Sequence, residues 1–262
     1  MYGEAYRRFV AMERFVGAFF LHVFSRLAAL CRPGGGMAIG IRMKTAKKSF
    51  PQPSVRRLPG YLRMLRQLKK DGSSQVSCTH IAGELNLDST QVRKDLALTG
   101  ITGKPRVGYD LNALVGAIEK FLGWDRVTDA FLVGAGSLGH ALIGYEGFGS
   151  FGLNIVAAFD VAEEKIGTTI FGRMVHPMHT MPELAEIGKV SLGILTVPAF
   201  AAHAAAATMV ASGLKGIWNF APVKLDLPPG VAVENVELVS SFAVLSLGLG
   251  KIVGEKNGSM PD

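Results

Sequence analysis

The stretch Val133-Gly134-Ala135-Gly136-Ser137-Leu138-Gly139 constrains this chain more than any other. It spaces its glycines as G-x-G-x-x-G, directly behind an apolar run at residues 129–133 and directly ahead of a helical pattern at 137–145. In that setting each glycine has a separate task. Gly134 makes the tight turn, Gly136 lets a pyrophosphate approach the backbone, and Gly139 lets the helix pack on the strand. The free N–H groups and dipole of the helix start then favour an anion. Asp160 closes the next apolar run, 21 residues after Gly139. A carboxylate there accepts from ribose hydroxyls and repels a 2′-phosphate, so the motif points to NAD(H) rather than NADP(H).

The surrounding pattern alternates. Apolar runs at 129–133, 154–159, 191–197, 216–218 and 232–235 read as strands, and 137–145, 182–187 and 200–212 read as helices. Such alternation gives an α/β fold, a parallel doubly wound sheet of Rossmann type. Ligands of these sheets sit at the carboxyl ends of the strands. That rule adds Thr196, Val197 and Pro198, and then Asn219, Phe220 and Ala221, to the crevice. Phe220 offers an apolar wall to a nicotinamide ring. An enzyme of this type also needs an acid or base near the hydride acceptor. His140, His176, His179 and His203 are the candidates, and none has a recognisable catalytic partner, so all four read as structural. Some 135 residues also leave little room for a substrate domain. The chain therefore reads as no enzyme.

Charge divides the molecule. Residues 1–126 carry 21 Lys+Arg against 9 Asp+Glu, and residues 127–262 carry 7 against 12. One half is built to face a polyanion. Within it, Leu58, Leu62, Leu65 and Leu68 recur at helical spacing, 79–85 suits a second short helix, and Asp88-Ser89-Thr90-Gln91 has capping-box form ahead of a third. The Gly- and Pro-rich segment 100–109 suits a β-hairpin wing, and 111–122 a further helix. Three short helices and a wing make a winged helix-turn-helix, whose third helix enters the major groove of double-stranded DNA. On that helix Val92 and Leu96 face inward, leaving Thr90, Gln91, Arg93 and Lys94 toward base edges. Arg56, Arg57, Lys69 and Lys70 suit phosphates, and Lys104 and Arg106 at the wing tip suit the adjacent minor groove.

The domain limits that follow are 1–53 for a basic, flexible extension, 54–126 for the winged helix, 127–236 for the dinucleotide fold and 237–262 for a C-terminal helix and tail. The apolar piece from Phe15 to Phe24 follows Arg7, Arg8 and Arg14, yet His22 and Arg26 interrupt the wider stretch from Arg14 to Leu30, and the piece is too short to span a bilayer. The preferred reading is an over-extended start, with Met37 or Met43 as the natural one and no membrane involvement. The two cysteines, Cys31 and Cys78, lack metal spacing and suit a reducing cytoplasm. Cys78 reads as a small semi-buried residue near a helix start, with a thiol switch as the alternative.

Gln91-Val92-Arg93-Lys94-Asp95-Leu96, Val107-Gly108-Tyr109-Asp110, the glycine motif and Asn219-Phe220-Ala221-Pro222 occur in an order that resembles the Rex family of redox-sensing transcriptional repressors. The similarity runs from about Ser54 to Leu249. It implies a homodimer that binds palindromic operators and leaves them when NADH replaces NAD⁺. It also implies that the apolar segment 237–249 is a domain-swapped C-terminal helix. By position, Arg63, Tyr145 and the acidic Glu237 match residues implicated in switching. The chain departs from the usual pattern at Ala97-Leu98-Thr99 and at Lys104-Pro105-Arg106, both on the DNA surface. Glu237 stands for the usual Asp, and Leu238 where some members carry an aromatic. Two rivals are an NAD-dependent oxidoreductase with an incidental basic region, and a nucleotide module resembling a CoA-ligase subunit.

Overall fold

The computed structural model describes residues 50–257, and the account below concerns the compact unit Pro51–Asp262. The expectations placed on residues 1–49, including Cys31 and the alternative starts, lie outside the described residues.

Helix α1 (Gln52–Lys70) opens after Pro51 with Pro53 in its first turn, where a missing N–H costs nothing, and ends on Lys69 and Lys70, which suit the negative end of its dipole. Its inward face is Leu58, Tyr61, Leu62 and Leu65, all fully buried, while Leu68 lies at the edge of that core. The leucine spacing located the face but overlooked Tyr61, whose ring occupies its centre. Strand β1 (Gln75–Val76) leads to α2 (Cys78–Glu84), capped by Ser77, and α3 (Ser89–Ala97), capped by Asp88. Strand β2 (Tyr109–Asp110) pairs antiparallel with β1 and runs into α4 (Leu111–Leu122), which ends on left-handed Gly123. This two-stranded ribbon was not predicted. Two residues carry too little alternation to be seen.

The second half contains β3 (Thr128–Val133), α5 (Ser137–Ile143), a 3₁₀ turn (Glu146–Phe151) and β4 (Leu153–Asp160). It continues with β5 (Thr169–Ile170), β6 (Arg173–Pro177), α6 (Met181–Gly188), β7 (Leu192–Leu195), α7 (Ala199–Ala211), β8 (Gly216–Asn219) and β9 (Ala232–Asn235). The sheet order is β5-β6-β4-β3-β7-β8-β9. All pairs are parallel except β5 with β6. The six parallel strands therefore follow the order third, second, first, fourth, fifth, sixth, the doubly wound dinucleotide topology with its switch point between β3 and β7. Two strands escaped the sequence reading, because β5 is very short and β6 buries only Val175 and ends in proline. Along β3, Phe131 and Val133 feed one apolar layer while Ala130 and Leu132 feed the other, as a strand covered on both faces requires.

The halves meet where Arg66 of α1 donates to Glu119 and to the Ser150 carbonyl, with its guanidinium 5.4 Å above the Phe151 ring. Trp124 packs on the same ring at 5.0 Å. Last comes α8 (Leu238–Asn257), longer than the expected 237–249. Its apolar side chains, Val239, Phe242, Leu245 and Leu247 among them, are uncovered within one chain. Among the described residues no helix is long and apolar enough to cross a membrane.

Candidate functional site

The glycine loop lies at the switch point. Gly134 follows β3 with φ of +104°, and a Cβ there would sit 2.9 Å from the Thr196 backbone beyond β7. Only glycine fits both demands. A Cβ on Gly139 would strike the Gly134 carbonyl, so this glycine lets α5 lie against the loop. Gly136 differs: a Cβ there would meet nothing within 4 Å, because the loop is open on that side. The N–H groups of Gly136, Ser137, Leu138 and Gly139 donate to no acceptor among the described residues. An open glycine beside four unpaired donors fits a pyrophosphate.

Asp160 and Thr196 shape this cradle from either side. The Asp160 carboxylate is buried and accepts from the N–H groups of Ala135, Val161 and Ala162 and from Lys165 Nζ at 3.0 Å. The expected role was ribose recognition; in this structure all four acceptor directions are taken by the protein's own donors, one of them in the glycine loop. Lys165, which no sequence motif marked, is the one side chain in that set and is partly exposed. The Thr196 hydroxyl donates to the carbonyls of Val133 and Gly134. Asn219 is fully buried, donates to the Val223 carbonyl and to Asn235, and accepts from Ala221 N–H. Its amide builds the loop beyond β8. Val197 and Phe220 are half-buried at the strand ends, Phe220 lies 4.9 Å from Trp218, and Pro198 caps α7. Among the described residues no cluster of His, Cys, Asp or Glu suits a metal.

The DNA-facing candidates gather on α3 and the wing. Asp88 caps α3 by accepting from Thr90 N–H and Gln91 N–H, and those two bonds hold its carboxyl below the usual range. The capping box is half formed, since the Gln91 side chain turns forward to Asp95 instead of back to the cap. Val92 and Leu96 are fully buried as expected, leaving Thr90, Arg93 and Lys94 exposed. The wing is a tight loop, not a pair of extended strands: Lys104 and Gly108 exchange backbone hydrogen bonds at 2.7 and 2.9 Å, with Arg106 left-handed at φ of +63°. Between wing and α3 opens a cleft of about 570 Å³ lined by Arg93, Lys104 and Arg106. At its floor the Cys78 thiol lies 3.9 Å from the Tyr109 hydroxyl, and burial raises the affinity of that phenol for its proton.

Arg57 was assigned to phosphate and does something else. Its guanidinium grips Asp95 through Nε at 2.7 Å and Nη2 at 2.9 Å, and Tyr61 adds a bond of 2.6 Å. Burial alone would push the Asp95 carboxyl up, but the hydrogen bonds from Arg57, Tyr61 and Gln91 override it and hold it down at about 2. Arg56 pairs with Glu234, both exposed, while Lys69 and Lys70 stay solvent-facing. Of the three switch candidates, Arg63 and Tyr145 are exposed, Tyr145 packs on Phe148 at 4.8 Å, and Glu237 accepts from Ser240. No hydrogen bond joins the three within one chain among the described residues.

Comparison with known proteins covers both halves. A family model described as "CoA binding domain" matches residues 125–223, and one described as "Putative DNA-binding protein N-terminus" matches 49–97. The redox-sensing transcriptional repressor Rex of Treponema denticola is 46% identical over 77% of this chain and 97% of its own length. Its counterpart in Bacteroides fragilis is 43% identical over 74% of this chain and 89% of its own. The chain belongs to the Rex family of redox-sensing transcriptional repressors. Among solved structures, the Rex-family repressor RSP in complex with β-NAD⁺ and operator DNA superposes with a TM-score of 0.73 at 30% identity, over 82% of this chain and all of that one. RSP with β-NADH gives 0.72 at 30% identity, over 81% of this chain and all of that one. This Rex-family chain is thus related to repressors across both of its halves, which separates it from a stand-alone CoA module and from the dehydrogenases.

Proposed function

We propose that this chain is a homodimeric repressor that holds palindromic operator DNA in the cytoplasm and lets go when NADH replaces NAD⁺. The observation that carries the reading is the coexistence, in one chain, of the basic α3–wing face and an open glycine cradle with four unpaired N–H donors. The cradle of Gly134, Ala135, Gly136, Ser137, Leu138 and Gly139 holds the pyrophosphate. Asp160 fixes the loop and meets the ribose once Lys165 yields. Thr196, Val197, Pro198, Phe220, Ala221 and the loop built by Asn219 form the wall at the nicotinamide end. The dinucleotide supplies a redox state to be read.

Thr90, Gln91, Arg93 and Lys94 face the bases, and Lys104 and Arg106 reach the adjacent minor groove. The exposed apolar side chains of α8 need a cover. A second copy supplies it by exchange of this helix, and Arg63, Tyr145 and Glu237 then form the switching contacts across the two chains. The proposed domain limits remain 1–53, 54–126, 127–236 and 237–262. A ligand shifts operator affinity only if it binds the competent and incompetent dimers differently. Operator affinity measured at fixed salt with NAD⁺ and with NADH tests the proposal. Tighter binding with NAD⁺ is expected, and equal affinities reject it.

A further inference from the structure

Asp95 points away from the DNA-facing side of α3 and is fully buried, an expensive place for a charge unless its partners are complete. They are complete. Oδ2 accepts from Arg57 Nε and Tyr61 Oη, and Oδ1 accepts from Arg57 Nη2 and from Gln91 Nε2 at 2.8 Å. Arg57 and Tyr61 belong to α1, so the carboxylate is fixed from outside its own helix. A Gln–Asp pair four residues apart is weak on an open helix. Here one partner cannot move, and Gln91 itself is half-buried.

The orientation of the Gln91 amide follows from this. An ionised carboxylate only accepts, so the amide must turn its nitrogen inward and cannot flip. What remains free on Gln91 is the carbonyl oxygen and one N–H. An acceptor beside a donor matches the N6–H and N7 of adenine in the major groove. We propose that Asp95 is a positioning residue that presets the Gln91 amide to read adenine at one place in each operator half-site. This rests on the reading that α3 enters the major groove.

The test compares the wild type with Gln91→Ala and with the triple variant Arg57→Met, Tyr61→Phe, Asp95→Leu. The triple change replaces the whole buried cluster with apolar groups, a substitution that folded proteins tolerate far better than loss of one member. The DNA is the palindrome the wild type selects from randomised duplexes, with each half-site base pair changed in turn and adenine also replaced by 7-deazaadenine. The wild type should prefer adenine at one position by about tenfold or more. Gln91→Ala and the triple variant should both lose that preference, while the triple variant keeps its salt slope and its affinity for unrelated duplex.

A triple variant that retains the preference lost in Gln91→Ala overturns the proposal and leaves the placement of Gln91 intact. If Gln91→Ala changes no preference, or the wild type shows none for adenine, Gln91 does not read a base and the placement fails with the proposal. A second measurement needs no folded triple variant. The Gln91 side-chain amide resonance, identified by its loss in Gln91→Ala, should have an order parameter above about 0.6 in the DNA-free wild type, and a value below that overturns the preset.

Discussion

Asp95 and Asp160 sit in different halves of the chain, both buried and both with every acceptor direction filled, yet their donors differ. Asp95 takes side chains, from Arg57, Tyr61 and Gln91. Asp160 takes mostly backbone, from Ala135, Val161 and Ala162, with Lys165 as the one side chain. The contrast fits the recognition proposed for each half. Base edges are distinguished by side chains aimed at donor and acceptor patterns. A pyrophosphate is the same in every dinucleotide and is held by main-chain N–H groups. One aspartate therefore fixes side chains on a helix, and the other fixes a loop.

If that contrast is right, damage to Asp95 should be the largest single effect. Asp95→Ala leaves the Arg57 guanidinium without its partner, and a loss of about 3–5 kcal/mol is expected in urea unfolding. A loss under about 1 kcal/mol would mean the cluster does not hold α1 to α3.

Acid probes the same carboxylate. Its partners hold it at about 2, below the ordinary carboxylate range, so its stabilisation is present above that range and fades as pH falls toward 2. The fall should amount to roughly 2 kcal/mol between pH 4 and pH 2. It should be missing from the triple variant in a pH series of urea midpoints. Equal acid slopes in the two proteins would remove Asp95 from the account.

The backbone-built site predicts a smaller and cleaner separation. Gly136→Ala adds a methyl into open space at φ of −90°, so folding should be unchanged. The methyl obstructs the pyrophosphate approach, and NADH affinity should fall about tenfold, roughly 1.4 kcal/mol. Unchanged NADH affinity by fluorescence titration would remove Gly136 from the cradle. At the wing, Lys104→Ala and Arg106→Ala should each lower the slope of log affinity against log salt by about 1 and leave base preferences alone. A change in preference at one base pair would make the wing a reader.

The cofactor half was the more legible. Glycine spacing and strand alternation report local geometry, and the loop turns at Gly134 and packs closely at Gly139 as their spacing predicts. What escaped was β5 and β6, too short for periodicity, and Lys165, whose meaning depends on a turn that returns it to Asp160. In the DNA half the helices were visible from leucine spacing and the Asp88 cap. The partners of Asp95 were not, because Arg57 and Tyr61 lie 38 and 34 residues away and a surface role for Arg57 fits the same sequence.

By itself the sequence determined the two-part organisation, the separation of charge and the glycine loop, since each is a property of residues close together in the chain. Only the tertiary structure decided which polar groups are already taken. Asp160 and Asn219 turn their side chains to the scaffold, Arg57 leaves the phosphates for Asp95, and Gln91 is held by one end. Those outcomes depend partly on packing across 38 and 25 residues, as for Arg57 on Asp95 and Ala135 on Asp160, and partly on turns of four or five residues, as for Gln91 and Lys165. A buried carboxylate or amide must take whatever donors arrive there.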